Sequence, residues 1–173
     1  PQSVNAVFGS MAWAYSDDEC REMLSGGLLL DSASASVFAE RGFGALLGVR
    51  LNGFAGREDA DYALEQATAM ARGAPAGFRM NVNLHGSMAR MEPARGAREW
   101  TTVMCASGRR FGAGLSLFRN RLGGRVAVFA APEPQDLPKS YQRQALVHAL
   151  VRELSGGRFP LPLAAGAPHV MPM

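Results

Sequence analysis

Residues 25–49, SGGLLLDSASASVFAERGFGALLGV, decide how the rest of the chain is read. Gly26 and Gly27 end whatever precedes them. Leu28, Leu29 and Leu30 form a short unbroken apolar run, the pattern of a strand covered on both faces. Asp31 then stands where a helix cap belongs. Its carboxylate can accept a free N–H of the first turn, in which Ser32 and Ser34 follow. A helix is expected from about Ser32 to Arg41, with Gly42 placed to end it in a left-handed conformation.

On the N-terminal side, residues 4–8 (VNAVF) read as a short strand. Ser16 and Glu19 have the spacing of a capping box, which predicts a helix over about Asp17–Leu24. On the C-terminal side, Ala45–Leu51 is a candidate third strand. Strand, helix, strand, helix, strand, with apolar strands, predicts an α/β fold with a mostly parallel central sheet and helices on both faces.

Further along, Glu58–Arg72 carries Ala60, Leu64, Ala67 and Ala71 at helical spacing and reads as a helix. The pattern then changes to short β-like runs: Phe78–Leu84, Met88–Glu92, Glu99–Cys105, Gly114–Phe118 and Arg125–Ala130. Ser107-Gly108 and Gly123-Gly124 mark tight turns. Residues 78–119 are expected to form an antiparallel β extension of the sheet. Pro132, Pro134 and Pro138 stiffen the loop before a helix over about 140–154, whose stripe is Leu146, Val147, Leu150, Val151 and Leu154. Ser155-Gly156-Gly157 ends it. The expected organisation is one α/β domain over residues 1–160 and a Pro-, Ala- and Gly-rich tail or linker over 161–173.

Three segments carry a family likeness: Leu24-Ser25-Gly26-Gly27-Leu28-Leu29-Leu30-Asp31 with Arg41-Gly42-Phe43-Gly44 and Leu47-Gly48-Val49; Asn120-Arg121-Leu122-Gly123-Gly124-Arg125-Val126-Ala127-Val128; and Arg143 through Leu161, closing on Leu154-Ser155-Gly156-Gly157-Arg158-Phe159-Pro160-Leu161. In order and spacing they resemble the glutamine-amidotransferase-like domain that follows the catalytic barrel in bacterial glycoside hydrolases of the beta-galactosidase-like kind, the trimerisation-like domain. Residues 52–78 carry no match. The likeness implies an amidotransferase-like (flavodoxin-like) fold and a place beside a glycoside hydrolase's catalytic domain. The shared motifs are structural rather than chemical.

Composition narrows the function classes. In a chain of 173 residues, 47% apolar and 19% charged content fits a globular domain and excludes disorder. The net charge of +3 raises nucleic acid as a partner class, but the basic residues are scattered, and all but Lys139 are arginine. A nucleic-acid surface needs a clustered stripe, so no nucleic-acid partner is expected. No membrane span and no signal peptide are read, and Cys20 and Cys105 are expected reduced, small and buried. A cytoplasmic location is favoured over a secreted one. The start at Pro1 reads as that of a fragment or processed piece.

No motif commits the chain to a reaction. Gly42-Phe43-Gly44 with Gly48 has the wrong spacing for a nucleotide loop and follows a helix. Gly9-Ser10 and Gly86-Ser87 do not make a nucleophile elbow, and neither cysteine stands on one. His85, His148 and His169 are isolated, so no metal and no cofactor are expected. Glycosidases use two carboxylates flanking the scissile bond. Glu92 and Glu99 flank a turn, but surrounding proline, glycine and arginines read as solvated loop. Asp17, Asp18 and Glu19 suit a helix N-terminus. The candidate ligand-binding residues are Trp13 and Tyr15, just after the first strand, and Asp31, at the C-terminal end of the second, where α/β sheets bind ligands. Each has a plainer role, core aromatics for the first two and a helix cap for the third.

The expected function, implied by the resemblance, is a non-catalytic accessory or oligomerisation domain of a glycoside hydrolase. Its partners would be the rest of the parent enzyme, further copies of itself and a carbohydrate. The alternatives are a flavodoxin-like small-molecule or protein interaction module, or a free-standing hydrolase using Asp31, Glu92 or Glu99.

Overall fold

The computed structural model describes residues 4–56, 62–74, 76–84, 88–132 and 141–157. Its strands are β1 (Val4–Val7), β2 (Gly27–Leu30), β3 (Val49–Phe54), β4 (Tyr62–Ala67), β5 (Arg79–Asn83), β6 (Ala89–Pro93), β7 (Arg98–Cys105), β8 (Arg110–Arg119) and β9 (Arg125–Phe129). Its α-helices are α1 (Asp17–Ser25), α2 (Ser32–Phe38) and α3 (Tyr141–Leu154).

The architecture is a mixed, mostly antiparallel seven-stranded sheet in the order β1-β2-β9-β8-β7-β4-β5, with β3 and β6 paired in a separate two-stranded sheet. Among the described strands, only β1–β2 and β2–β9 pair in parallel; β9–β8, β8–β7, β7–β4 and β4–β5 are antiparallel. This corrects the expectation of an α/β fold built on a mostly parallel central sheet. Two segments account for the difference. The strand expected at Ala45–Leu51 lies at Val49–Phe54 and pairs antiparallel with β6 outside the main sheet. The segment 58–72, expected as a helix, contains strand β4, which joins β7 on one side and β5 on the other. Of the strands within 78–119, β5, β7 and β8 pair antiparallel in the main sheet, and β6 pairs with β3 outside it.

The parallel end was legible locally. The Ser16–Glu19 capping box forms, and Asp31 caps α2 through Ser34. Helix α2 ends at Phe38 and runs on as a π-helical turn, Ala39–Phe43, in which Gly42 takes the expected left-handed φ of 87°. In β2, Leu28 and Leu30 face one apolar core while Leu29 faces a second. Val126 and Val128 of β9 join the first core, and Ala127 and Phe129 the second. Helices α1 and α2 pack over one face of β2 and β9. On the opposite face, α3 buries Leu146, Leu150 and Leu154. Each of these leucines contributes about 1.5–3 kcal/mol by leaving water.

The three family-like segments converge where β2 and β9 begin. Arg125 N donates to the Gly26 carbonyl at 2.8 Å. The Asn120 side chain is almost fully buried and joins its own turn to the end of α1. Its Oδ1 accepts from Leu122 N and Gly124 N, and its Nδ2 donates to the Leu24 carbonyl at 2.8 Å. A Cβ on Gly27 would lie 2.9 Å from the Leu154 carbonyl oxygen, and one on Gly124 only 2.0 Å from that of Leu24. The glycines let three backbones touch. This corner lies at the N-terminal ends of parallel strands, away from the edge where such sheets bind ligands.

Candidate functional site

The opposite edge, at the C-terminal ends of β1 and β2, holds all three candidate ligand-binding residues. After β1 the chain enters a 3-10 turn, Gly9–Ala14, whose Ala12 is fully buried. After β2 it reaches Asp31, itself inaccessible to solvent.

Asp31 is committed to the fold. Its Oδ1 accepts from Ser34 N at 2.8 Å, and its Oδ2 accepts from Gly9 N at 2.9 Å. The Ser34 hydroxyl lies 2.7 Å from Asp31 Oδ1 and 2.8 Å from the Val7 carbonyl. One side chain thus caps α2 and fixes the start of the 3-10 turn. Asp31→Asn would turn an NH2 toward one of these backbone donors. It is expected to lower stability by about 1–3 kcal/mol, the cost of an unsatisfied buried group, read as a lower urea midpoint with unchanged slope. A midpoint equal to the parent's would contradict the geometry.

The far end of the turn is held by Arg41. Its Nη1 donates to the Ala12 carbonyl at 3.1 Å, and its Nη2 meets Asp17 Oδ1 at 2.5 Å. That hydrogen bond to Asp17 raises the Arg41 pKa above its ordinary value. On either side of the anchored Ala12, Met11 and Trp13 are 62% and 58% exposed. Tyr15 is partly buried and packs against the first core. Of the three candidates, then, Trp13 is the most exposed, Tyr15 is partly covered and Asp31 is buried.

The acids proposed for hydrolysis stand on separate elements, each with its own surroundings. Glu99 on β7 accepts from Arg110 Nη2 at 2.8 Å. Glu92 on β6 stands in the other sheet, opposite Arg50 of β3, and lines an open groove of about 700 Å³ together with Glu40 and Arg95. Opposite charges facing across a strand pair are an ordinary sheet-stabilising arrangement. In the α1 cap, hydrogen bonds from Ser16 N and Oγ hold the Glu19 carboxyl below the usual carboxylate range.

Sequence reading missed Glu65 of β4. It is 2% exposed, takes a hydrogen bond from Thr101 Oγ1 at 2.5 Å, and pairs with Arg143 Nη2 of α3 at 2.6 Å. The Arg143 guanidinium also lies over the rings of Phe78 and Phe129. No alternation of apolar and polar residues marked it, because the inward positions of β4 are Ala63 and the charged Glu65 itself.

Cys20 and Cys105 are buried free thiols, and burial pushes the Cys20 thiol pKa up, away from a reactive thiolate. His148 is exposed on α3, while His85, Gly86-Ser87 and His169 lie outside the described residues. Among the described residues there is no cluster of three or more metal-ligating side chains, and no helix is long and apolar enough to cross a membrane.

No protein-family model and no curated protein matches the sequence. Among solved structures, the fold is similar to part of alpha-L-fucosidase isoenzyme 2 from Paenibacillus thiaminolyticus, with a TM-score of 0.59 and 17% identity. The likeness covers 88% of this chain but 25% of that enzyme's chain. At that identity it is a likeness of fold. It places the same architecture inside a glycoside hydrolase, while the mixed sheet does not support the amidotransferase-like fold that the sequence motifs implied.

Proposed function

We propose that the chain is a non-catalytic accessory domain related to those of glycoside hydrolases. The observation that carries this reading is the shared fold with a quarter of the fucosidase. The disposition of the acids supports it. Asp31 caps a helix, Glu65 is buried against Arg143, Glu99 pairs with Arg110, and Glu92 faces Arg50 on an open surface. A glycosidase needs two carboxyl groups about 5–10 Å apart across a bound sugar, one of them able to hold a proton near neutral pH. Acids already serving caps and ion pairs are poorly suited to that exchange.

The test is turnover by the purified chain on p-nitrophenyl α-L-fucoside, β-D-galactoside and related chromogenic glycosides. No release above the uncatalysed rate is expected. Sustained release that disappears in Glu92→Gln would overturn the accessory reading in favour of a hydrolase working in the β3–β6 groove.

A further inference from the structure

We propose that the 3-10 turn Gly9–Ala14 is a carbohydrate-binding platform, with Trp13 as the surface on which a sugar ring stacks and Met11 extending it. The inference rests on the accessory-domain reading and names the ligand class of the candidate edge.

The first ground is rigidity. A large apolar side chain on a mobile loop loses conformational entropy on binding, whereas one on a fixed backbone has lost it already. This turn is held at two points: Asp31 holds Gly9 N, and Arg41 holds the carbonyl of the fully buried Ala12, the residue directly before Trp13. Trp13 nevertheless stays 58% exposed. The fold anchors the backbone and leaves the indole unused.

The second ground is size. Each side of a stable protein complex buries roughly 800 Å². Trp13 and Met11 together fall well short of that, and the chain turns polar directly afterwards at Ser16, Asp17 and Asp18, all exposed. An exposed indole face of this size matches the apolar C–H face of a single sugar ring. It is too small to hold a second copy of the chain.

The third ground is place. The platform stands at the C-terminal ends of β1 and β2, where the loops after both strands meet: Gly9 of the turn is held by Asp31.

The experiment titrates the full chain with L-fucose, D-galactose and short galacto- and xylo-oligosaccharides. It follows tryptophan fluorescence and saturation-transfer NMR. Trp100 is fully buried, so a sugar-dependent change in an exposed-tryptophan signal reports Trp13. Saturable millimolar binding by at least one probe is expected. Trp13→Ala should weaken it by roughly tenfold or abolish it, and Trp13→Tyr should keep most of it, since either ring can stack. All three proteins should melt alike, because the side chain is exposed.

No saturable binding by any probe would overturn the platform, as would equal binding by Trp13→Ala. Loss of self-association in Trp13→Ala, with sugars inert, would also overturn it by showing a protein contact instead. These failures leave the accessory reading standing, because that reading fails only on turnover.

Discussion

Gly124→Ala is expected to destabilise the chain by at least about 3 kcal/mol, at the severe end of what overpacking does. The added methyl would sit 2.0 Å from the Leu24 carbonyl oxygen and 2.8 Å from that of Gly26. Both are backbone atoms, so no side chain can swing away. Leu24 is further fixed by the hydrogen bond from Asn120, and Gly26 by that from Arg125. Relief requires separating α1 and β2 from β9, which breaks the parallel end of the sheet. The neighbouring Gly123 is the control. It has a φ of 85°, and a Cβ added there would meet nothing within 4 Å. Gly123→Ala should therefore cost only about 1–2 kcal/mol of left-handed strain. Urea unfolding of both variants measures the difference. Equal midpoints for the two would show that the three-backbone corner is looser than its distances imply.

Arg143→Met is the second large effect, expected at about 3–5 kcal/mol, because it leaves Glu65 buried and unpaired. The geometry is specific. Glu65 and Arg143 meet at 2.6 Å with side chains 3% and 9% exposed, and the pair ties α3 to β4 of the antiparallel region. Replacing both residues should cost less than replacing one, since an apolar pair has no stranded charge. The double variant Glu65→Leu/Arg143→Met is thus expected to be more stable than Arg143→Met alone, though Thr101 Oγ1 loses its acceptor. Thermal melts decide this, at about 2–4 °C per kcal/mol for a chain of this size. A double variant as unstable as the sum of its singles would show that the two charges do not interact.

The same ion pair explains why the antiparallel half was hard to read. A strand with one covered face should alternate apolar and polar, and β4 alternates Ala63 and Glu65 inward. A buried glutamate reads as polar until its partner is known, and that partner lies 78 positions away. Alanines at helical spacing then tipped the segment toward a helix. Strand β3 failed for a different reason. Its residues are mostly exposed, so its pattern names no face. By contrast, the Ser16–Glu19 capping box, the Asp31 cap, the β2 run and the α3 stripe depend on neighbours in sequence, and local spacing reveals them.

The candidate site divides in the same way. Asp31 was legible as a cap because Ser34 is three residues on. Exposure of Trp13 was not legible, because nothing in the sequence marks which tryptophan is covered. Trp100 is fully buried, with its indole N–H lacking a hydrogen-bond partner, while Trp13 is mostly open. The anchoring of its turn by Asp31 and Arg41 is long-range, and only the folded chain displays it.

The functional reading depends on the mixed sheet, since the fold likeness is its main support. The direct measurement is the NMR pattern of backbone contacts for residues 62–67. Strand β4 predicts cross-strand contacts of Glu65 with Val103 and of Leu64 with Asn81, with the amides of that segment protected from exchange. Consecutive amide–amide contacts along 62–72, without cross-strand partners, would instead indicate a helix and contradict both the sheet and the likeness built on it.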